Sequence, residues 1–343
     1  MGAAPPTAAL ATAALATVAR ATLARAQAPG DGAEDPLALR QPERLTAGAA
    51  NHYMGALVGD ALYFVGDEDG TSELYVQRPT SAAPVGVLGG LGDVAWPAPS
   101  PDGTRLAYVS FARDATGDAC VLTLESGRER CVTGPETAEL QAVWLDDDAL
   151  GVLSRDGLHG DFSLRRVPAR GGAAETLRTR NLVGLAASPD GRWLAYVGLE
   201  RERPEVGVTF ASRTARGLWL ERRDRPGEPV RYRPALPGMT GEPTFRPEGR
   251  ILYFSQYLND TNRDGIIDGD DNGVIVRVPF RRDAAEPVGA VVPEQLTSAR
   301  WNCHYPAVSG ERGVMTCAPD GASLDGYALP VSGAVPEAMG PDA

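Results

Sequence analysis

The chain has 343 residues, 43% hydrophobic and 23% charged, a globular composition that excludes a disordered chain. Its 45 acidic against 33 basic residues give a net charge of −12, which disfavours a partner held through phosphates, so no nucleic acid is expected as a ligand. The 40 glycines and 28 prolines, about a fifth of the chain, suit many short strands joined by turns rather than long helices.

Residues 8–19 (AALATAALATVA) form an Ala-rich apolar run, and Ala26-Gln27-Ala28 supplies an A-x-A cleavage site, so residues 1–28 are read as a signal peptide. The run is preceded by no Lys or Arg and is followed by Arg20 and Arg25, so a disordered Ala-rich leader is the other reading. The run is too short to span a bilayer, and no transmembrane segment is expected. Residues 29–40 read as a polar linker, with a single domain over 41–343.

That domain repeats itself. Residues 94–110 read VAWPAPSPDGTRLAYVS and residues 184–197 read GLAASPDGRWLAYV, with a weaker copy, EPTFRPEGRILYFSQ, at 242–256. Each copy has a short extended run, a turn and an apolar strand. Pro fixes φ in the turn, Asp bonds back to the backbone, and Gly accepts positive φ. The strand that follows is apolar at almost every position, as expected where both faces are buried. Asp102 and Asp190 lie 88 residues apart, twice 44, and the midpoint Asp146 sits in the degenerate copy VWLDDDALGVLS. Asp60, in LVGDALYFVGD, lies 42 residues before Asp102, and HYPAVSGERGVMTCA at 304–318 is the last copy. From Asp190 to Glu248 is 58 residues, one repeat plus 14, and the excess is assigned to the fifth repeat. Six repeats with room for four strands each predict an all-β, six-bladed propeller of four-stranded antiparallel blades.

Ring closure is legible as well. PEQLT at 293–297 ends one repeat, and a matching PERLT at 42–46 precedes the first. An N-terminal strand at 42–46 is therefore expected to complete the last blade, in the sheet that contains 313–329. VPEAMG at 335–340 competes for that role.

On the SPDG turns at 100–103 and 188–191 and the RPEG turn at 246–249, the chain resembles the TolB-type β-propeller repeat family over about residues 41–340. Members of that family include envelope interaction proteins and the propeller halves of prolyl oligopeptidase-like enzymes. The resemblance implies the fold and does not choose between these functions.

The four cysteines fall into two local pairs. Cys120 and Cys131 flank the turn Glu125-Ser126-Gly127-Arg128, and Cys303 and Cys317 flank the turn around Gly310-Glu311. Both are expected as disulfides of exported protein, since no C-x-x-C or Cys/His cluster points to zinc. Strand parity places Cys120 and Cys131 diagonally on one face for a two- or four-residue turn. Cys303 and Cys317 meet across a three-residue turn.

Residues 260–271 read DTNRDGIIDGDD and resemble the calcium loop of EF-hands and dockerins, set into strands as an insertion at 259–273. Asp260, Asn262, Asp264 and Asp268 occupy positions 1, 3, 5 and 9, with Gly265 at the sharp turn and the carbonyl of Ile266 as the position-7 ligand. Asp271 stands at position 12. Hard oxygen donors at this spacing suit a structural Ca²⁺.

His52-Tyr53 and His304-Tyr305 occupy similar places at the innermost strands of blades one and six, with Glu139 and Glu242 at corresponding places in blades three and five. These four define a candidate channel site for a metal or small ligand, against the alternative of hydrogen-bonded channel lining. His159 falls in a loop. The tryptophans, such as Trp96 and Trp144, are read as packing between blades. No G-x-S-x-G elbow, Walker A or dinucleotide fingerprint occurs.

The expected function is a non-catalytic, monomeric, periplasmic or secreted propeller that binds an envelope or secreted protein, or a surface polymer, through one face. The alternatives are a small-ligand binder or metal-dependent propeller enzyme using the channel histidines, or a propeller module of a longer protein. The end at Gly340-Pro341-Asp342-Ala343 fits the module reading.

Overall fold

The computed structural model describes residues 37, 42–46, 48–88, 92–157, 160–179, 181–200, 215–232, 239–265, 267, 269–289, 291–319, 321 and 323–331. The expected leader 1–28, the segment 335–340 and His159 lie outside them.

The described residues form six antiparallel sheets, each a meander from an inner to an outer strand. Blade one holds β1 (His52–Val58), β2 (Ala61–Gly66), β3 (Glu73–Gln77) and β4 (Val85–Gly86). Blade two holds β5 (Val94–Pro99), β6 (Arg105–Ser110), β7 (Asp118–Thr123) and β8 (Arg128–Cys131). Blade three holds β9 (Thr137–Asp146), β10 (Ala149–Asp156), β11 (Ser163–Pro168) and β12 (Glu175–Arg178). Blade four holds β13 (Leu182–Ala187), β14 (Trp193–Glu200), β15 (Ala215–Arg222) and β16 (Val230–Arg231). Blade five holds β17 (Met239–Phe245), β18 (Ile251–Tyr257), β19 (Gly273–Pro279) and β20 (Glu294–Gln295). Blade six has β21 (Cys303–Ser309), β22 (Arg312–Cys317) and β23 (Asp325–Ala328). The inner strands β1, β5, β9, β13, β17 and β21 touch in that order and back to β1, so the ring is closed.

The fourth place in blade six is taken by the N-terminal segment 42–46, as PERLT predicts. Arg44 bridges Tyr327 antiparallel, Leu45 N–H donates to the Gly326 carbonyl at 2.7 Å, and Ala328 N–H donates to the Glu43 carbonyl at 2.8 Å. The threonine that ends the motif has a fixed task. Gly326 N–H donates to Thr46 Oγ1 at 2.9 Å, and in blade five Ile275 N–H donates to Thr297 Oγ1 at the same distance. In blade two Ala119 N–H donates to Thr133 Oγ1. In each case the outer threonine satisfies a backbone donor of the third strand where the backbone ladder ends.

The SPDG turns fold for the reasons their residues suggest. Ser100 Oγ donates to Asp102 at 2.6 Å and accepts from Arg105 N–H, while Gly103 sits at φ 69°. Ser188, Asp190 and Gly191 repeat the arrangement with Gly191 at φ 67°. The second strand behind the first of these turns, β6, is buried from Leu106 to Ser110, and β18, behind the RPEG turn, is buried along its whole length. The apolar side chains gather into six clusters, one between each pair of neighbouring blades, instead of one central core.

The extra residues lie elsewhere than the spacing suggested. Glu200 pairs with Ala215, so a 14-residue connection, 201–214, interrupts blade four between β14 and β15. The acidic loop is a separate extension, after Glu248, between β18 and β19 of blade five. A count from Asp190 to Glu248 spans the end of one blade and the start of the next, and it cannot say which holds the excess.

Both cysteine pairs are disulfides, Cys120–Cys131 and Cys303–Cys317. Cys120 and Cys131 are directly opposite in the β7–β8 register, not diagonal, because a four-residue loop separates Thr123 from its partner Arg128. Cys303 faces Cys317 across a two-residue turn, Gly310-Glu311, and a bulge in β21 between His304 and Ala307 supplies the odd residue instead of the turn.

Candidate binding site at the channel mouth

Every inner strand is interrupted by a register shift, β9 twice and the others once. In four blades the first bulged residue is left-handed without being glycine: Met54 (φ 53°), Trp96 (φ 58°), Glu242 (φ 30°) and Tyr305 (φ 51°). Such a conformation costs on the order of 1–2 kcal/mol per residue, and it recurs where structure is held for function. Prolines follow three of the four (Pro97, Pro243, Pro306), removing a ladder donor at the kink.

These bulges bound a cavity of about 710 Å³ that all six inner strands line. Its far rim is made by the turns into the second strands, including Pro101, Asp147 and Pro189. It is therefore a funnel at one end of the central channel. In it the Trp96 and Tyr305 rings, from blades two and six, meet edge to face with centroids 5.2 Å apart. The Met54 sulfur accepts from Trp96 N–H at 3.3 Å. Gln141 exchanges two hydrogen bonds with the Leu185 backbone and so joins blades three and four. Trp144 packs between blades two and three, as expected of the tryptophans, with its indole N–H on the Ala98 carbonyl. Trp96 does not, because its left-handed backbone turns it into the funnel.

The bulges also fix the place of the histidines. His52 precedes its bulge by two residues and His304 by one, so the two are not equivalent, and a one-residue offset changes the face a side chain takes. His52 is buried, its Nδ1 3.1 Å from Asp325 and its Nε2 2.9 Å from Glu68. Arg44 pairs with the same Asp325 at 2.5 Å, which ties the imidazole to the closure. His304 Nε2 lies 2.8 Å from Asn302 Oδ1, an oxygen that also accepts from Gly273 N–H, so Nε2 carries the proton. Its Nδ1 is 3.9 Å from Glu242, whose carboxylate also accepts from the Ser255 hydroxyl. The structure thus brings His304 and Glu242 together. The polar partners of His52 are Asp325 and Glu68, and those of His304 are Asn302 and Glu242.

Glu139 is buried between blades two and three, accepting from the Thr137 hydroxyl at 2.6 Å. Burial pushes its carboxyl up to about 7, the Thr137 hydroxyl opposes this, and Asp118 and Asp114 add to the rise. Glu139 Oε2 and Asp118 Oδ1 are buried without a hydrogen-bond partner.

In the acidic loop, Asp260 accepts from the N–H groups of Asp264 and Gly265 at 3.1 and 2.8 Å, and Gly265 turns at φ 88°. Asn262 accepts from Asp264 N–H. Asp271 is buried and accepts from the Thr261 N–H and hydroxyl. The donor types and the glycine turn fit a hard cation. Ile266 and Asp268 lie outside the described residues. Among the described residues, Asp260, Asp264 and Asp271 do not gather their oxygens within 4.8 Å; the one group that tight is Cys120, Glu129 and Cys131, whose sulfurs are bonded to each other.

No family model and no curated protein matches the chain. Solved structures do. An oligogalacturonate lyase in complex with manganese is similar at a TM-score of 0.53 and 15% identity, over 84% of this chain and 92% of that one. The β-propeller domain of the Trilobed protease from Pyrococcus furiosus is similar at 0.50 and 10%, over 85% and 83%. TolB from Acinetobacter baumannii gives 0.48 and 12% over 83% of this chain, which spans 64% of the TolB chain. At such identities the likeness establishes the propeller fold, a fold found in enzymes and in other proteins alike.

Proposed function

We propose that this chain is a non-catalytic propeller of the cell envelope, periplasmic or secreted, that binds an extended segment of another protein in the channel funnel. The observation that carries this reading is the convergence of four left-handed residues, two of them aromatic, on one cavity of about 710 Å³. Aromatic side chains fixed by the backbone offer contact area at low entropic cost, and aromatic-lined grooves accept extended chains. The two disulfides fit an oxidising compartment. No helix among the described residues is long and apolar enough to cross a membrane. In the same reading a structural Ca²⁺ is held by Asp260, Asn262, Asp264, Ile266, Asp268 and Asp271.

The test is capture from envelope extract, with and without calcium, by wild type and by Trp96→Ala and Tyr305→Ala. A partner retained by wild type and lost by both variants supports the funnel. Undiminished capture by both variants moves binding to another face and defeats the reading.

A further inference from the structure

The funnel has a charge character that its shape does not require. Among the described residues lining it are Asp146, Asp147, Asp190 and Glu242, and no Arg, Lys or His. The rim acids are unequal. Asp146 pairs with Arg223 at 3.3 Å and Asp190 with Arg282 at 3.7 Å, so both carry counter-charges from outside the wall. Asp147 is exposed at the mouth, and its backbone carbonyl, not its carboxylate, receives Arg105. Glu242 lines the same cavity as Trp96 and Tyr305, and its carboxylate accepts from the Ser255 hydroxyl and lies 3.9 Å from His304 Nδ1.

A carboxylate and two aromatic rings lining one cavity are the chemistry that recognises an organic cation. The rings attract it through their quadrupoles and the carboxylate through charge-assisted hydrogen bonds. A guanidinium suits the set better than an ammonium, because its plane can stack on an indole while its edge reaches a carboxylate. The net charge of −12 adds a long-range field that draws a basic segment toward the mouth.

We infer that the funnel selects a basic side chain, arginine above lysine, presented by an extended segment of a partner protein, with Glu242 as its carboxylate and Trp96 and Tyr305 as its aromatic walls. This rests on the reading of the funnel as the binding site. The wide rim leads the chain in, and Asp147 meets flanking positive charge.

The test is calorimetric titration of the full chain, at low salt, with blocked Gly/Ser heptapeptides carrying a central Arg, Gln or Glu, and with spermidine. The Arg peptide is expected to bind at least about tenfold more tightly than the Gln peptide, with the Glu peptide weaker still. Glu242→Gln, checked by an unchanged melting temperature, is expected to remove about that tenfold advantage and leave the Gln peptide unaffected. Asp147→Asn serves as a second variant and is expected to weaken the Arg peptide by a smaller factor. Equal affinity for the three peptides, all weakened by Trp96→Ala, overturns the charge selectivity and leaves the funnel as the binding site. Peptide binding indifferent to Trp96→Ala overturns both. Spermidine binding more tightly than the Arg peptide, with the same dependence on Glu242, overturns the assignment to a protein side chain.

Discussion

Gly326 donates its N–H to Thr46 Oγ1 at 2.9 Å across 280 positions of chain, and the bond is buried. It stands beside the backbone pairs that make the N-terminal segment the outer strand of blade six. Thr46→Ala removes the acceptor and leaves a buried N–H unsatisfied, which is expected to cost about 1–3 kcal/mol. Thr46→Ser should recover most of the loss, since it restores the oxygen. A melting temperature unchanged in the alanine variant would show that the closure does not depend on this bond.

The two disulfides should differ in their resistance to reductant. Cys303 and Cys317 are both fully buried, whereas Cys131 is only partly so. Native protein in mild reductant is therefore expected to expose Cys120 and Cys131 to alkylation first, read by peptide mass. Removing either bridge by a paired Cys→Ser change is expected to cost roughly 3 kcal/mol in the chain-entropy model. Simultaneous alkylation of all four thiols would contradict the burial argument.

Glu139 gives the fold a pH dependence of known sign. Its carboxyl titrates at about 7 in the folded chain against 4.5 for a free side chain, because burial disfavours the charge. The folded state therefore holds the proton more tightly. The stability this gives is fully present below about 4.5 and is lost as pH rises through 7. Glu139→Gln keeps the neutral shape, so it should be near neutral at pH 5 and stabilising at pH 8 by roughly 1–3 kcal/mol. Paired denaturation curves at the two pH values decide it. The same difference at both would show that the carboxyl is not titrating between them.

Calcium is expected to raise the melting temperature and a chelator to lower it, by up to about 2.7 kcal/mol of stability at a hundredfold excess over Kd. Magnesium should substitute poorly, because it demands tighter octahedral geometry. Asp264→Ala should abolish the response while leaving the propeller folded. Identical melting curves in calcium and in chelator, with no heat of binding, would leave Asp260, Asp264 and Asp271 as an acidic solvated turn.

Much of the fold was legible because its turns have strict local chemistry. Ser100, Asp102 and Gly103 must be what they are for the hairpin to form, and their recurrence every 44 or so residues counts the blades. PERLT and PEQLT were legible for the same reason, since Thr46 and Thr297 do the same work. The funnel was not. The left-handed conformation at Met54, Trp96, Glu242 and Tyr305 is one that their residue types do not favour, and the proline that follows three of them marks the kink without giving its hand. Without the bulges, His52 and His304 look equivalent, although they are offset by one position. Trp96 looks like Trp144, although one faces the channel and the other a blade interface. The SPDG turns locate the blades but carry no information about which side chains the bulges turn inward.

The ring closure also sets an order of events in time. Arg44 is made early and Tyr327, its partner, 283 residues later. Blades one to five can each form from contiguous chain, but blade six stays a three-stranded sheet with an open edge until residues 42–46 dock on β23. Until then the edge of β23 is a template for any extended strand nearby, including another copy of residues 42–46. Joining segments so far apart carries a large loop-closure entropy, so docking of the first-made strand is placed late in folding. The vulnerable interval of this protein is the one in which five blades are complete and the ring is not.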